Sequence, residues 1–506
     1  MFAVFCIHGA WPVPDVNEPY YLGKAIHYWN PDWIPNDSFL NSSDTHQVFY
    51  FAFGWLSIFL PPFALAWVGR LITWGLLACA WQRLSLTVLS RRWWSILTAA
   101  LMVFLNSRFN MAGEWFVGGV EAKGFAFAAI LFGLDSMLRN RWNRAWLFWG
   151  VASLFHVLVG GWAVLAGMIG WLCLQGDRPK ILSMWPGLVG GFLLSLPSLI
   201  PSIGLSFGVD AAVVAESNRI YVFERLSHHL DPARFPINYV FRFTVILIIW
   251  LLLCRVKSGR PVDRRLQAFV NGSLAIAVSG TLIAIFTVHN TTLAATLLRF
   301  YWFRLADIAV PIGVSLMGAS HILVAANSRP RIGKILLIVT IGFAGFHLLN
   351  LLPVRLVPTK PRTIRMGFGW WEACQWIATP GNVPSDARFL TPRMCQTFKW
   401  YARHSEVATR KDIPQDPNSI VNWWQRLEEI HGTDSGDPQD RWHTSLTELD
   451  VGKLKRLCRK YGADYILTVT QPRINLEVVY ENGGFVVYRV EDDQPPKADP
   501  PQKGPQ

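Results

Sequence analysis

The sequence predicts a mostly α-helical protein, a polytopic membrane bundle followed by a C-terminal α/β domain outside the cytoplasm. Hydrophobic residues make up 52% of the 506 positions and charged residues only 16%, well below the roughly 25% charge of a soluble domain. The long apolar runs lie almost entirely within residues 1–353. We therefore predict a multi-span membrane domain over 1–353, an α/β domain over 354–491 and a disordered tail rich in Pro, Lys and Asp over 492–506.

Basic clusters between the apolar runs orient the chain, because short cytoplasmic loops carry an excess of Lys and Arg. Placing all five clusters in the cytoplasm gives a self-consistent path. The clusters are Arg91/Arg92, Arg139/Arg141/Arg144, Arg178/Lys180, Arg255/Lys257/Arg260/Arg264/Arg265 and Arg329/Arg331/Lys334. The predicted spans lie near 62–85, 94–107, 119–138, 182–206, 240–255, 267–288, 301–325 and 335–353. This assigns the protein to the inner (cytoplasmic) membrane.

Three segments do not fit simple spans. The apolar run Met1–Trp11 is too short to cross a bilayer, and we interpret it as a first span truncated at its start. The stretch 145–174 must enter and leave on the cytoplasmic side, so we predict a helical hairpin or re-entrant pair with His156 near its tip. The loop 13–46 lies outside and is acidic, and the aromatic segment 47–61 after it predicts an interfacial helix.

The first candidate site is the pair Asp15 and Glu18, at the start of this outer loop. Ionisable residues at a membrane surface are costly and are functional candidates by default. The structural alternative is an ordinary acidic juxtamembrane loop, with Pro19 shaping a turn. If the protein binds a divalent cation such as Mg or Mn, these two carboxylates are the predicted ligands.

Two further groups lie at the same predicted outer surface. The glycine-rich segment 113–124 carries Glu114, Glu121 and Lys123, and the alternative to a site there is a structural ion pair inside the bundle. Arg299 and Arg304 flank an aromatic run at the start of a span. Their guanidinium groups suit a phosphate, although such residues also serve as interfacial anchors.

The segment after residue 353 predicts a small α/β domain. Helices are predicted over 368–377, 395–403, 419–430 and 446–461, and strands over 386–392, near 407, over 465–470 and over 485–490. The pI of about 9.5 follows from the cytoplasmic clusters, and no basic stripe with stacking aromatics indicates a nucleic-acid partner. The seven cysteines have no metal-binding spacing.

Several blocks of sequence resemble an uncharacterised bacterial membrane-protein family with the layout of the glycosyltransferase C superfamily. They are PDVNEPYYLGKA, GEWFVGGVEAKGFA, NRWNRAW followed by FHVLVGGWA, RFYWFRLAD, and FLTPRMCQTFKWYARH followed by RKDIP and WWQRL. The resemblance implies an integral membrane enzyme that uses a polyprenyl-phosphate sugar. It also implies that an acid of the first outer loop is the base or a cation ligand. Asp15 and Glu18 occupy that place, although in the superfamily the acids are adjacent or separated by one residue.

These observations predict transfer of a sugar, with inversion, from a polyprenyl-phosphate donor to an extracytoplasmic acceptor. Asp15 or Glu18 is the predicted catalytic base, and Arg304, Arg299 and Lys123 are the predicted phosphate ligands. Glu114, Glu121 and His156 are further cavity candidates. The alternatives are a transporter or flippase of a lipid-linked or polar solute, and a non-enzymatic envelope protein whose outer domain binds a partner.

Overall fold

The structure, a computed structural model, describes residues 1–89, 91–256, 259–356, 367–435, 437 and 440–490. The predicted disordered tail over 492–506 lies outside these residues. The chain divides into two compact units, each assembled from three stretches. The first takes Met1–Trp33, Ser42–Thr363 and Ile413–Trp424, and the second takes Ile34–Asn41, Ile364–Asp412 and Gln425–Gln506. A short piece of the first outer loop thus belongs to the C-terminal unit.

The first unit is helical throughout its regular structure. Its helices are α1 (Phe2–Gly9), α2 (Glu18–Trp29), α3 (Gln47–Gly54), α4 (Pro62–Val88), α5 (Arg92–Arg108), α6 (Ala122–Leu138), α7 (Trp142–Phe155), α8 (Val157–Cys173), α9 (Ile181–Gly204), α10 (Ala211–Arg219), α11 (Ser227–Leu230), α12 (Ile237–Arg255), α13 (Pro261–Phe286), α14 (Thr291–Leu298), α15 (Arg304–Ser328) and α16 (Pro330–Leu356). Short 3₁₀ or π turns add Trp55–Ile58, Ile220–Arg225 and Pro232–Arg234.

Every predicted span coincides with one of these helices. Six of the described helices have the length and hydropathy to cross a membrane, namely α4, α9, α12, α13, α15 and the Pro330–Pro353 part of α16. Helices α5 and α6 have 17 residues each. The predicted fold class, a helical membrane bundle with a small C-terminal sheet domain, is confirmed.

The predicted hairpin over 145–174 is the helix pair α7 and α8. The break between them falls at His156, whose backbone is extended (φ −150°, ψ 99°). Gly160, near the predicted centre of the hairpin, instead allows close packing of the two helices. A Cβ there would lie 2.1 Å from the backbone nitrogen of Ser153. Small residues that bring backbones together are typical of membrane helix contacts.

The second unit packs helices on both faces of a five-stranded sheet. Its elements are α17 (Phe368–Ala378), β1 (Arg388–Leu390), α18 (Phe398–Ala402), β2 (Ser405–Glu406), the part of α19 (Pro417–His431) that begins at Gln425, a 3₁₀ turn (Leu446–Glu448), α20 (Val451–Tyr461), β3 (Tyr465–Val469), β4 (Glu477–Glu481) and β5 (Phe485–Arg489). The strand order is β2-β1-β3-β5-β4, with β2, β1 and β3 parallel and β5 and β4 antiparallel.

Alternate residues of the central strands enter separate hydrophobic cores. Leu467 packs in the core that contains Trp370 and Phe398, and Ile466 packs in the core that contains Leu454 and Leu457. This period of two is the pattern of a strand buried on both faces. Strand β4, which the sequence did not indicate, is the half-exposed edge strand.

A buried lysine joins the second unit's separate stretches of chain. Lys399 Nζ lies 3.3 Å from Asp37, 2.8 Å from Glu406 and 2.7 Å from Asp412, measured to the nearest carboxylate oxygen. Burial opposes the charged form of Lys399, but Asp37 and the other two acids raise its pKa well above its ordinary value. Asp37 comes from the first outer loop, so this cluster fixes that loop segment within the C-terminal unit.

Replacing Lys399 by Met tests this cluster. The substitution leaves three buried carboxylates without their cation, and breaking a buried pair costs about 3–5 kcal/mol. We expect the unfolding temperature of the second unit to fall by roughly 6–20 °C, measured on the purified full-length protein by intrinsic tryptophan fluorescence. Adding Glu406→Gln to Lys399→Met should recover part of the loss.

Lys453→Met is the matched control. Lys453 of α20 is half-buried, and within the described ranges its Nζ has no ion-pair partner. Its loss should leave the unfolding temperature unchanged to within about 2 °C, since surface substitutions usually change stability by less than 0.5 kcal/mol. Equal melting of the Lys399 and Lys453 variants would contradict a stabilising role for the cluster.

Candidate functional site

The site lies at one end of the helical unit, where α4, α6 and α15 begin and α5 ends. The loop between α5 and α6 is held there by two buried side chains. Asp307 of α15 accepts hydrogen bonds from the backbone N–H groups of Met111 (2.7 Å), Ala112 (2.9 Å) and Glu114 (3.2 Å). Asn106 of α5 donates to the carbonyl of Glu114, at 3.0 Å. These bonds fix the backbone from which Glu114 projects.

A buried ion pair holds the first outer loop against this frame. Arg70 of α4 and Glu18 of α2 are both fully buried. The guanidinium donates from Nε to Oε1 and from Nη2 to Oε2 of Glu18, each at 2.7 Å. The same carboxylate also accepts from the backbone N–H groups of Asp15 (2.7 Å) and Val120 (3.0 Å). Both oxygens of Glu18 are therefore engaged, and they connect α2 to α4 and to the loop between α5 and α6.

Asp15 differs from Glu18 because it keeps partial solvent exposure. Its oxygens accept from the backbone N–H groups of Val16 (2.7 Å) and Gly119 (2.8 Å). Burial, and next the neighbouring charge of Glu18, raise the pKa of the Asp15 carboxyl above its ordinary range. A carboxylate that is fixed, half-buried and reluctant to ionise is suited to accept a proton.

Next to this pair, two cations and two acids form one network. Lys123 Nζ lies 2.7 Å from Glu114 and 3.4 Å from Glu121, and Arg304 pairs with the second oxygen of Glu114. Burial works against ionisation of Glu114, but Arg304 and Lys123 outweigh it and lower its pKa. Asn17 donates to Glu121 at 3.0 Å, which joins the network to the loop that carries Asp15.

Aromatic rings and histidines surround the two cations. The Arg304 guanidinium lies 3.8 Å from the centre of the Tyr301 ring, and Lys123 Nζ lies 3.8 Å from that of Trp115. On its other side, Arg304 Nη1 is 3.4 Å from Nε2 of His156. The side chain of Arg304 is 15% exposed, and that of Lys123 is 9% exposed. Arg304 is thus the more accessible of the two cations.

The structure brings together seven of the eight residues that the sequence suggested. Contacts connect Asp15, Glu18, Glu114, Glu121, Lys123, Arg304 and His156. Arg299 does not join them, because its guanidinium hydrogen-bonds to Asn218.

Sequence reasoning missed the supporting residues Arg70, Asn17, Asn106 and Asp307. Arg70 carried a signal that could have been used. It is the one charged residue of the apolar run 62–82, and a charge inside a span needs a partner.

Glu18, one of the two predicted divalent-cation ligands, is engaged by Arg70. Arg70 already supplies at Glu18 the positive charge that a metal would supply, and it takes both carboxylate oxygens. Within the part of the chain that the structure describes, no group of three or more His, Cys, Asp or Glu side chains is arranged to hold a metal ion. Of the two predicted Mg or Mn ligands, Glu18 thus already has a fixed cationic partner.

A protein family of unknown function and a solved crystal structure are similar to this chain. Residues 369–430 match the family described as "Domain of unknown function (DUF6798)". The structure is similar to the crystal structure of the Archaeoglobus fulgidus oligosaccharyltransferase in complex with Zn and sulfate. The two chains are 10% identical, the match covers 92% of this chain and 67% of that one, and the TM-score is 0.40. No curated protein matches. At this identity and TM-score the match assigns neither residues nor an activity.

Gly119→Ala tests the packing of the acidic loop. A Cβ at Gly119 would lie 2.7 Å from Cβ of Asp15 and 2.8 Å from Oε1 of Glu18, so the loop or the ion pair must shift. Overpacking of this kind costs about 1–3 kcal/mol. We expect a lower unfolding temperature for the purified protein, measured by tryptophan fluorescence.

Gly75→Ala on α4 provides the comparison, since nothing lies within 4 Å of its Cβ position. Alanine is also the better helix former by about 1 kcal/mol. Its unfolding temperature should equal or exceed that of the unmodified protein. A Gly119 variant that melts like the Gly75 variant would show that Asp15 and Glu18 do not pack against this segment as described.

Proposed function

We propose that the protein is an integral membrane glycosyltransferase that moves a sugar, with inversion, from a polyprenyl-phosphate donor to an extracytoplasmic acceptor. The observation that carries the proposal is that the two acids of the pair differ in burial and in partners. Glu18 is fully paired with Arg70, and Asp15 remains half-exposed beside a network of cations. A base and a phosphate-binding group lie side by side, as displacement of a lipid phosphate requires.

Asp15 is the proposed general base. It removes the proton from the acceptor nucleophile as that nucleophile attacks C1 of the sugar. The bond from C1 to the donor phosphate oxygen breaks, and polyprenyl phosphate leaves with the electron pair. The acceptor proton ends on Asp15, whose raised pKa suits it to hold that proton. No metal ion enters this scheme.

Arg304 and Lys123 are the proposed ligands of the departing phosphate. Arg304 presents a planar fork that matches two phosphate oxygens, and the Tyr301 ring holds that fork in place from one side. Glu114 pairs with both cations and keeps them apart at a fixed spacing before the donor binds. Preorganised charge of this kind lowers the barrier without reorganisation during the reaction.

An apolar cavity beside this site suits the donor's lipid chain. It has a volume of about 580 Å³ and is lined mainly by apolar residues of α7, α8 and α9. Val157 and Phe300 also line it. Val157 follows His156 directly and Phe300 precedes Tyr301, so the cavity opens beside the residues that contact Arg304. We propose that the first isoprene units lie here, with the phosphate at Arg304.

Asp15→Asn is the first test of the proposal. Removing a general base lowers kcat/KM by about 10²–10⁴-fold, which we expect in a membrane assay with a labelled polyprenyl-phosphate sugar. The pH profile adds a second readout. Because the base acts only when ionised, wild-type kcat/KM should fall as the pH drops through the raised pKa of Asp15, above the ordinary value of about 3.9. The residual activity of Asp15→Asn should lack this fall.

Asp32→Asn is the control for the same loop, because Asp32 is an exposed acid of that loop. It should keep full activity. Full activity in Asp15→Asn, or an equal loss in both variants, would remove Asp15 as the base. Protein yield and unfolding temperature, measured in parallel, separate lost catalysis from lost folding.

Arg304→Lys and Arg299→Lys form a second matched pair. Both keep the charge and lose the guanidinium fork, and the two residues lie five positions apart. If Arg304 binds the donor phosphate, its variant should raise KM for the donor by about tenfold or more, the loss expected for one charge-assisted hydrogen bond of about 1.5–3 kcal/mol. Arg299, which faces Asn218, should have a much smaller effect. Equal KM values for the two variants would contradict the assignment.

A further inference from the structure

A second charged cavity lies at the opposite end of α4 from Arg70. It has a volume of about 340 Å³ and lies where α4 and α6 end and α7 begins. Its lining is Arg83, Asp135, Ser136, Arg139, Arg141, Arg144, Leu147, Phe148 and Val151. Arg83 follows Arg70 by 13 residues, which is about 20 Å along a helix. The cavity is therefore separate from the proposed transferase site.

The cavity has an excess of positive charge, with four arginines around a single acid. The buried Asp135 pairs with Arg139 at 2.9 Å and with Arg83 at 3.6 Å, and Thr87 donates to it at 2.5 Å. Its charge is thus already compensated from within the protein. Arg141 and Arg144 are exposed, and in the described chain their side chains have no hydrogen-bond or ion-pair partner.

The other wall of the cavity is apolar. Leu147, Phe148 and Val151 follow the two free arginines along α7, so polarity decreases along the helix from the charged rim inward. Leu147 is 37% exposed. A ligand that fits must carry an anionic group at one end and a hydrocarbon chain at the other.

We propose that this cavity binds the headgroup of an anionic phospholipid of the leaflet to which the positive-inside rule assigns these arginines. Arg141 and Arg144 bind the phosphodiester, and the first acyl carbons pack on Leu147 and Phe148. Basic pockets between membrane helices on the cytoplasmic side are a recognised setting for anionic lipid headgroups. The volume also falls in the range of ligand sites, roughly 300–1,000 Å³. The proposal does not depend on the transferase activity.

Retention of phosphatidylglycerol by the purified full-length protein tests this site. Binding can be followed by native mass spectrometry during titration with phosphatidylglycerol, with phosphatidylcholine as the neutral lipid. The double variant Arg141→Gln/Arg144→Gln should bind phosphatidylglycerol about thirtyfold more weakly, with no change in its weak binding of phosphatidylcholine. Both arginines are exposed and unpaired, so the variant should fold normally.

Arg91→Gln/Arg92→Gln is the matched control. It removes two exposed arginines from the same predicted side, at the start of α5, outside the cavity. Retained affinity in the control and lost affinity in the cavity variant supports the site. Unchanged affinity in both variants overturns it, and equal loss in both shows only general attraction to anionic lipid. Displacement of the lipid by millimolar inorganic phosphate or glycerol 3-phosphate would indicate a site for a soluble phosphate and would also overturn the proposal.

Discussion

The buried ion pair between Glu18 and Arg70 is the interaction on which the geometry of the proposed transferase site depends. Arg70 lies just over two turns into the apolar helix α4, where an uncompensated guanidinium would cost several kcal/mol. Glu18 offsets that cost with a bidentate ion pair. Its carboxylate also accepts hydrogen bonds from two backbone N–H groups, one from its own loop and one from the α5–α6 loop. One carboxylate thus joins α2, α4 and the start of α6.

This arrangement explains why two acids three residues apart have different roles. The acid with the greater burial is neutralised by a fixed cation and becomes part of the scaffold. Asp15, held by backbone N–H groups alone, keeps free lone pairs and partial exposure. The second acid of the pair is committed to Arg70. Position relative to α4, more than spacing along the chain, separates the candidate base from its support.

Much of the fold could be predicted from the sequence because its signals are local. Long apolar runs locate α4, α9, α12 and α13, and a break in a 30-residue run locates the turn at His156. Helix α2 and strand β4 were not predicted, because their residues are mixed in polarity and their burial depends on partners that are distant in the sequence. The same limit applies to side-chain pairs. Arg70 and Glu18 are 52 residues apart, and only the packing of the helices brings them together.

Arg299 and Arg304 show that the sequence does not reveal the partners of two side chains even when they lie close together in the chain. Both flank the same aromatic run, and composition cannot rank them. Tyr301 between them has a positive φ of 56°, and the two guanidinium groups have different partners. One meets Glu114 and the other Asn218. Asp37 behaves similarly. Its place in an acidic outer loop suggested solvent, yet it is fully buried against Lys399.

The distribution of buried charge also bears on the choice between an enzyme and a carrier. Transporters place their polar sites near the middle of the membrane, where interrupted helices meet. Here α4 has no Asp, Glu, Lys, Arg or His between Arg70 and Arg83, and α6 has none between Lys123 and Asp135. Both helices are continuous across that interval. Their charged residues therefore gather at the two ends and leave an apolar middle. Between these ends the two helices offer no charged group to a polar solute, whereas the proposed phosphate and headgroup ligands lie at the ends.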